Sequence, residues 1–240
     1  MEAKGLRVLL VIVLLVAASW GVVNAADTES NYQQGVKHYR QGNYEEAISY
    51  LIEAVAENPD GLYPHYMLGL SYKQVGKYEF AATQLKKAYK INSNHYRVMV
   101  NLGRTYLQQK KMEAAVSILK EAGDKHPQND YAFNVLGQVY LEQNNLAKAA
   151  ASFQKAVNQN RKNYYAYNNL GYTYIQQGNY EQAVTALEEG VATEPDYPYI
   201  YNNLGVAYEN TGQLKKAKQA YQQAVKIKPN YRNAQQNLER

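Results

Sequence analysis

The 240-residue chain carries 26 lysines and arginines against 21 aspartates and glutamates, with 25 tyrosines and no cysteine. Without cysteine it has no disulfide, no thiol nucleophile, no thiolate-ligated metal and no lipid anchor of the lipoprotein kind. A net charge of +5 does not point to nucleic acid unless it is gathered into a patch.

The first 25 residues read apart from the rest. Lys4 and Arg7 precede an apolar run, VLLVIVLLVAA at 8–18, and Val23 and Ala25 occupy the −3 and −1 positions of a small-residue cleavage site. This is the pattern of a secretory signal peptide; the alternative is an uncleaved membrane anchor. The apolar stretch from Val8 to Val23 is shorter than the ~20 residues that span a bilayer. Residues 1–25 are therefore expected to be removed. That takes away two cations and one anion, leaving residues 26–240 with a charge of +4 and no stable membrane span. The expected compartment is outside the cytosol, with a bacterial periplasm first and an anchored or secreted form as alternatives.

From residue 28 onward the chain repeats. GNYEEA, GKYEFA, GNYEQA and GQLKKA recur with a period of 34, and 28–231 divides without a gap into 28–61, 62–95, 96–129, 130–163, 164–197 and 198–231. Residues 232–240 begin a seventh unit. With each unit numbered from 1 to 34, position 8 is always glycine, from Gly35 to Gly205. Position 20 is always alanine, from Ala47 to Ala217. Position 11 is His38 and then Tyr72, Tyr106, Tyr140, Tyr174 and Tyr208. Small residues at 8, 20 and 27 with large ones at 7, 11, 17 and 24 predict two closely packed helices per unit, A over positions 1–14 and B over 17–30.

The turn between them has Gly42, Gly76, Gly178 or Gly212 at position 15, where glycine takes the left-handed conformation that ends a helix. Asn144 suits the same place and Lys110 fits it poorly. Asp60, Asn94, Asn129, Asn163, Asp196 and Asn230 stand where the next helix A needs an N-cap. Helices this short are marginal alone and must stack on neighbours, as they do in a solenoid.

These residues resemble the tetratricopeptide repeat family in all but the signal and the last few residues. The resemblance implies an all-α, right-handed α-solenoid whose A helices form a concave groove. It also implies that positions 2, 5, 6, 9, 12 and 13 face or border that groove. The stripe 2, 6, 9, 13 keeps to one helical face. It reads Arg97, Asn101, Arg104 and Gln108 in the third unit, and Tyr131, Val135, Gln138 and Glu142 in the fourth. In the fifth it reads Tyr165, Asn169, Tyr172 and Gln176, and in the sixth Tyr199, Asn203, Val206 and Asn210. Tyr63 opens the second unit's stripe, and Asn134, Asn168 and Asn202 stand at position 5, on the border.

Two roles are open to the repeated asparagines of YNNLG, at 167–171 and 201–205. Asn101, Asn169 and Asn203 would form a ladder gripping a peptide backbone, since one amide offers a donor and an acceptor. Alternatively they bond to neighbouring helices and set the repeat spacing. Met67 and Val135 interrupt the ladder. Tyrosines in register at position 2 suggest a contact surface. Arg97 and Arg104 flank Asn101 and would hold a carboxylate or another anion, or else make an ordinary solvated face. The family's two-carboxylate clamp wants Lys at position 5 and Asn at position 9 of one repeat, and no unit has either.

Chemistry is not expected. The four histidines share no face at metal-ligand spacing, so no metal or cofactor is predicted. Every glycine fits the repeat, which leaves no phosphate loop. The first and fifth units are acidic (−4 and −5) and the others positive, which breaks any continuous nucleic-acid stripe. The sequence therefore predicts a non-enzymatic scaffold that binds a protein or peptide segment in a cell-envelope assembly. Self-association through an apolar C-terminal end, or glycan binding by the tyrosines, are the alternatives.

Overall fold

The computed structural model describes residues 29–194 and 196–239; the predicted signal peptide lies outside them. The described residues form helices α1 (Asn31–Gln41), α2 (Tyr44–Glu57), α3 (Leu62–Gln74), α4 (Tyr78–Ile91), α5 (Tyr96–Gln108), α6 (Met112–Lys125) and α7 (Asp130–Glu142). They continue with α8 (Leu146–Gln159), α9 (Tyr164–Gln176), α10 (Tyr180–Thr193), α11 (Pro198–Asn210), α12 (Leu214–Ile227) and α13 (Arg232–Glu239). Odd-numbered helices are the A helices of the repeat and even-numbered ones the B helices. In the five later units A fills positions 1–13, and in all six B fills 17–30.

Each helix packs on the next in sequence. Each A helix up to α9 also touches the following A helix, while successive B helices make no comparable contact. The array is drawn together along its A helices and fans out along its B helices, so the A helices line the concave side.

The small positions decide how close A and B come. A Cβ on Gly69 would stand 2.7 Å from Leu85 Cγ, and one on Gly137 2.6 Å from Phe153 Cε1. Position 8 is thus the hole into which position 24 is pressed. Around these contacts lie three clusters: a large one from Ala82 to Ala186, one from Ala183 to Tyr221, and a small one of Ala47, Ile48, Leu51 and Leu68.

The A–B turn closes the same way in every unit. The amide at position 16 donates back to the carbonyl at position 11, as in Lys77 to Tyr72 at 2.9 Å and Gln213 to Tyr208 at 2.8 Å. The residue between must turn left-handed. Gly42, Gly76, Gly178 and Gly212 do so, and so do Lys110 at φ 58° and Asn144 at φ 56°. The poor fit of Lys110 is overridden by the turn rather than avoided.

The caps correct one expectation. Asn129 and Asn163 do cap, accepting from Tyr131 and Ala166 amides. Asp60, Asn94 and Asp196 stand one residue too early. The caps there are Gly61, His95 and Tyr197, and Asn230 likewise lies in a turn before α13. The cause is the inter-repeat turn, which closes on position 34: Gly61 donates to Asn58 and His95 to Asn92. A second correction concerns the far end. α13 buries Ala234 and packs Leu238 on the last cluster, while Arg232, Asn233, Gln236 and Glu239 face solvent. The described array thus ends on a polar surface, where an apolar end was expected.

Candidate peptide-binding groove

The asparagine pairs resolve into a rule of pairing between repeats. Asn169 Nδ2 donates to Asn134 Oδ1 at 3.3 Å, Asn203 to Asn168 at 2.9 Å and Asn237 to Asn202 at 3.0 Å. Position 6 of one unit thus bonds to position 5 of the unit before it, 35 residues away. The same seam explains the interruptions. Where position 6 is Val135, position 5 of the preceding unit is Val100, and both are buried in the large cluster. Where it is Met67, the counterpart is Tyr32, and both pack on the small cluster. Polarity is matched across each junction, because a lone amide facing an apolar partner would lose its hydrogen bond.

Asn134 and Asn202 are consequently buried, 6 % and 7 % exposed, which places them in the seam rather than on the groove border. Asn168, Asn169 and Asn203 are half-buried. Each asparagine at 169 and 203 spends one amide hydrogen on its neighbour. Its side-chain Oδ1 accepts nothing among the described residues and remains at the groove wall. Asn101 is used more fully. It donates to Tyr66 Oη at 3.1 Å and to the Arg97 carbonyl, and it accepts from Lys73 Nζ at 2.7 Å.

The position-2 tyrosines behave differently. Tyr63, Tyr131, Tyr165 and Tyr199 are 58, 53, 50 and 36 % exposed, and Tyr172 is exposed too. Between α9 and α13 they join a continuous aromatic row: Tyr165 meets Tyr197 at 5.2 Å, Tyr197 meets Tyr199 at 5.2 Å, and Tyr199 meets Tyr231 at 5.0 Å. Lys228 sits 4.9 Å over the Tyr199 ring and donates to its hydroxyl at 2.7 Å. An open depression beside this row is lined by Tyr172, Tyr197, Tyr199, Tyr231, Asn168, Asn202 and Asn203. Burial pushes the Tyr197 hydroxyl up to about 12.

Gln138 is half-buried on the α7 wall. Arg97 is exposed and Arg104 half-buried, both on α5. Tyr197, Tyr231 and Lys73 were not singled out in the sequence. Position 34 reads as a loop until the turn brings it against position 2, and Lys73 stands at position 12, on a part of the face outside the stripe. Among the described residues no cluster of His, Asp and Glu could hold a metal, and no helix is long and apolar enough to cross a membrane.

Family models described as tetratricopeptide repeat match residues 28–60, 72–139, 117–165, 152–185 and 198–231, and one described as TPR repeat matches 171–212. The chain belongs to the tetratricopeptide repeat family. No curated protein sequence matches it. Among solved structures, PilF of Pseudomonas aeruginosa is similar at a TM-score of 0.73 with 21 % identity, covering 86 % of this chain and 94 % of that one. YrrB, described as a TPR protein with an unusual peptide-binding site, aligns at 0.61 with 20 % identity over 79 % of this chain and 98 % of its own. The Cut9–Hcn1 tetramer structure aligns at 0.71 with 19 % identity over 88 % of this chain, which spans 42 % of that chain. At these identities the likeness is one of fold.

Proposed function

We propose that this tetratricopeptide repeat protein is an exported, non-enzymatic scaffold that holds an extended protein segment along its A helices within a cell-envelope assembly. The family and fold support an interaction scaffold. The observation that carries the groove reading is the row of exposed tyrosines at position 2, set in register on the concave side while the neighbouring asparagines are largely engaged in the seam. Exposed aromatic side chains in register offer broad, rigid contact area at little entropic cost. The free side-chain Oδ1 atoms of Asn169 and Asn203 beside them suit the amides of a backbone. The signal-like first 25 residues support export.

Capture from envelope extract tests this, comparing the native protein with a Tyr131→Ala/Tyr165→Ala/Tyr199→Ala variant shown by circular dichroism to keep its helices. The native protein is expected to hold a partner that the variant releases. A partner held equally by both places the contact elsewhere.

A further inference from the structure

Three cations stand around Tyr66 and Asn101 on the groove wall between the second and third units: the Arg97 and Arg104 charges both reach the Tyr66 hydroxyl, and the Arg104 charge reaches Lys73. Lys73 projects from α3, and Arg97 and Arg104 project from α5 on either side of Asn101. Asn101 Oδ1 fixes the Lys73 ammonium at 2.7 Å, and Tyr66 Oη closes the group by accepting from Asn101. The ion pairs among the described residues are Lys37–Glu29, Lys110–Glu142 and Lys125–Glu121. None of them involves Lys73, Arg97 or Arg104, so no carboxylate of the described residues stands within 4 Å of the three charges. Burial, and after it the Arg104 charge, pull the Lys73 ammonium down to about 8. The cluster thus carries an unmet electrostatic cost, which an incoming anion would relieve.

We infer that Lys73, Arg97 and Arg104 form a subsite for one carboxylate of the bound segment, which marks one end of the ligand as acidic. The inference rests on the groove reading above. The guanidinium forks suit a carboxylate bidentately, and the pinned Lys73 ammonium supplies a third donor at the foot of the wall. The spot is local. The next A helix along the groove presents Tyr131, Val135 and Gln138, and then the aromatic row begins. One acidic group is therefore matched, not a polyanion running the length of the groove.

Neighbouring helices packed about 8–10 Å apart put α5 and α9 some 18 Å from each other, a span that an extended chain covers in about five or six residues. The ligand is thus a segment with an aspartate, a glutamate or a chain-terminal carboxylate set five or six residues from an apolar or aromatic stretch.

An array of synthetic ten-residue peptides tests this. An aromatic pair is held constant, and a single Glu or Asp is walked through the other positions. A matched series carries Gln or Asn, and a third has a free carboxyl terminus as the sole anion. The native protein is expected to prefer the Glu and Asp peptides over their amides by about tenfold, the scale of one charge-assisted contact, with the preference falling as salt rises. Preference only for the free-terminus series assigns the site to a chain end. A Lys73→Gln/Arg97→Gln/Arg104→Gln variant is expected to bind both series alike. If that variant does not fold, the exposed Arg97→Gln change with Arg104→Gln serves in its place. Binding by the native protein with no acidic preference overturns this inference and leaves the groove reading standing. An array that neither protein binds overturns both.

Discussion

At the scale of single residues, Lys110 shows most clearly how the repeat imposes itself. Its φ of 58° is the conformation that glycine adopts in four sister turns. A side chain there costs about 1 kcal/mol. Its exposed ion pair with Glu142 at 2.8 Å returns little, as such pairs contribute a few tenths of a kcal/mol. Lys110→Gly is therefore expected to stabilise the protein by about 0.5–1 kcal/mol, read as a higher urea midpoint with an unchanged slope. The glycine pattern at position 15 was legible in the sequence, because a left-handed turn leaves a direct compositional trace. The role of Asn101 was not. Its three partners, Tyr66, Lys73 and Arg97, come from two helices, and nothing in the local sequence announces that Lys73 folds back onto it.

At the scale of elements, the helices themselves were legible almost to the residue, since spacing and small-residue positions dictate them. The caps were displaced by one residue in several units. Asp and Asn are common in turns of every kind, and only the closing bond at position 34 tells a cap from a turn residue. The pairing of positions 5 and 6 between successive A helices was hidden more deeply. It links residues 35 apart, and it appears only once the stacking is known.

That pairing makes a test. Asn168→Val or Asn203→Val alone leaves its partner's amide without its bond, and each is expected to destabilise by about 1–2 kcal/mol. The double change imitates the Val100–Val135 junction. It is expected to cost about 1 kcal/mol less than the sum of the two, measured by a double-mutant cycle in urea. Strict additivity would mean that the bond between them contributes nothing to stacking.

At the scale of the whole molecule, the abundance of tyrosine becomes a property of the array. Burial raises the hydroxyls of Tyr66, Tyr106 and Tyr231 above the usual 10.0, and with them those of Tyr96 and Tyr208. Tyr197 is pushed up to about 12 by burial, and Tyr164 to about 12 chiefly by its bond with Tyr165. Above pH 10 the unfolded chain loses these protons before the folded one does. The stability they contribute is fully present below pH 10 and is lost as pH rises through the folded values. Lys73, pulled down to about 8 by burial, acts oppositely and adds stability between pH 8 and its ordinary 10.5. One lysine is set against many tyrosines, so the melting temperature is expected to fall steeply above pH 10, with the part of the tyrosinate absorbance that belongs to the buried hydroxyls appearing only together with loss of helix. Complete tyrosinate formation before any loss of helix would show that these hydroxyls are not buried as described.

Asparagine and tyrosine divide the labour in the proposed groove: the asparagines join repeat to repeat, and the exposed position-2 tyrosines are proposed to meet the ligand. Hydroxyl-radical footprinting of the protein alone and with its captured partner tests it most directly. Tyr63, Tyr131, Tyr165, Tyr172 and Tyr199 are predicted to lose reactivity together on binding, while Tyr50 and Phe80, exposed on the B helices, do not change. Protection confined to the B helices, with the position-2 tyrosines as reactive in the complex as in the free protein, would contradict it.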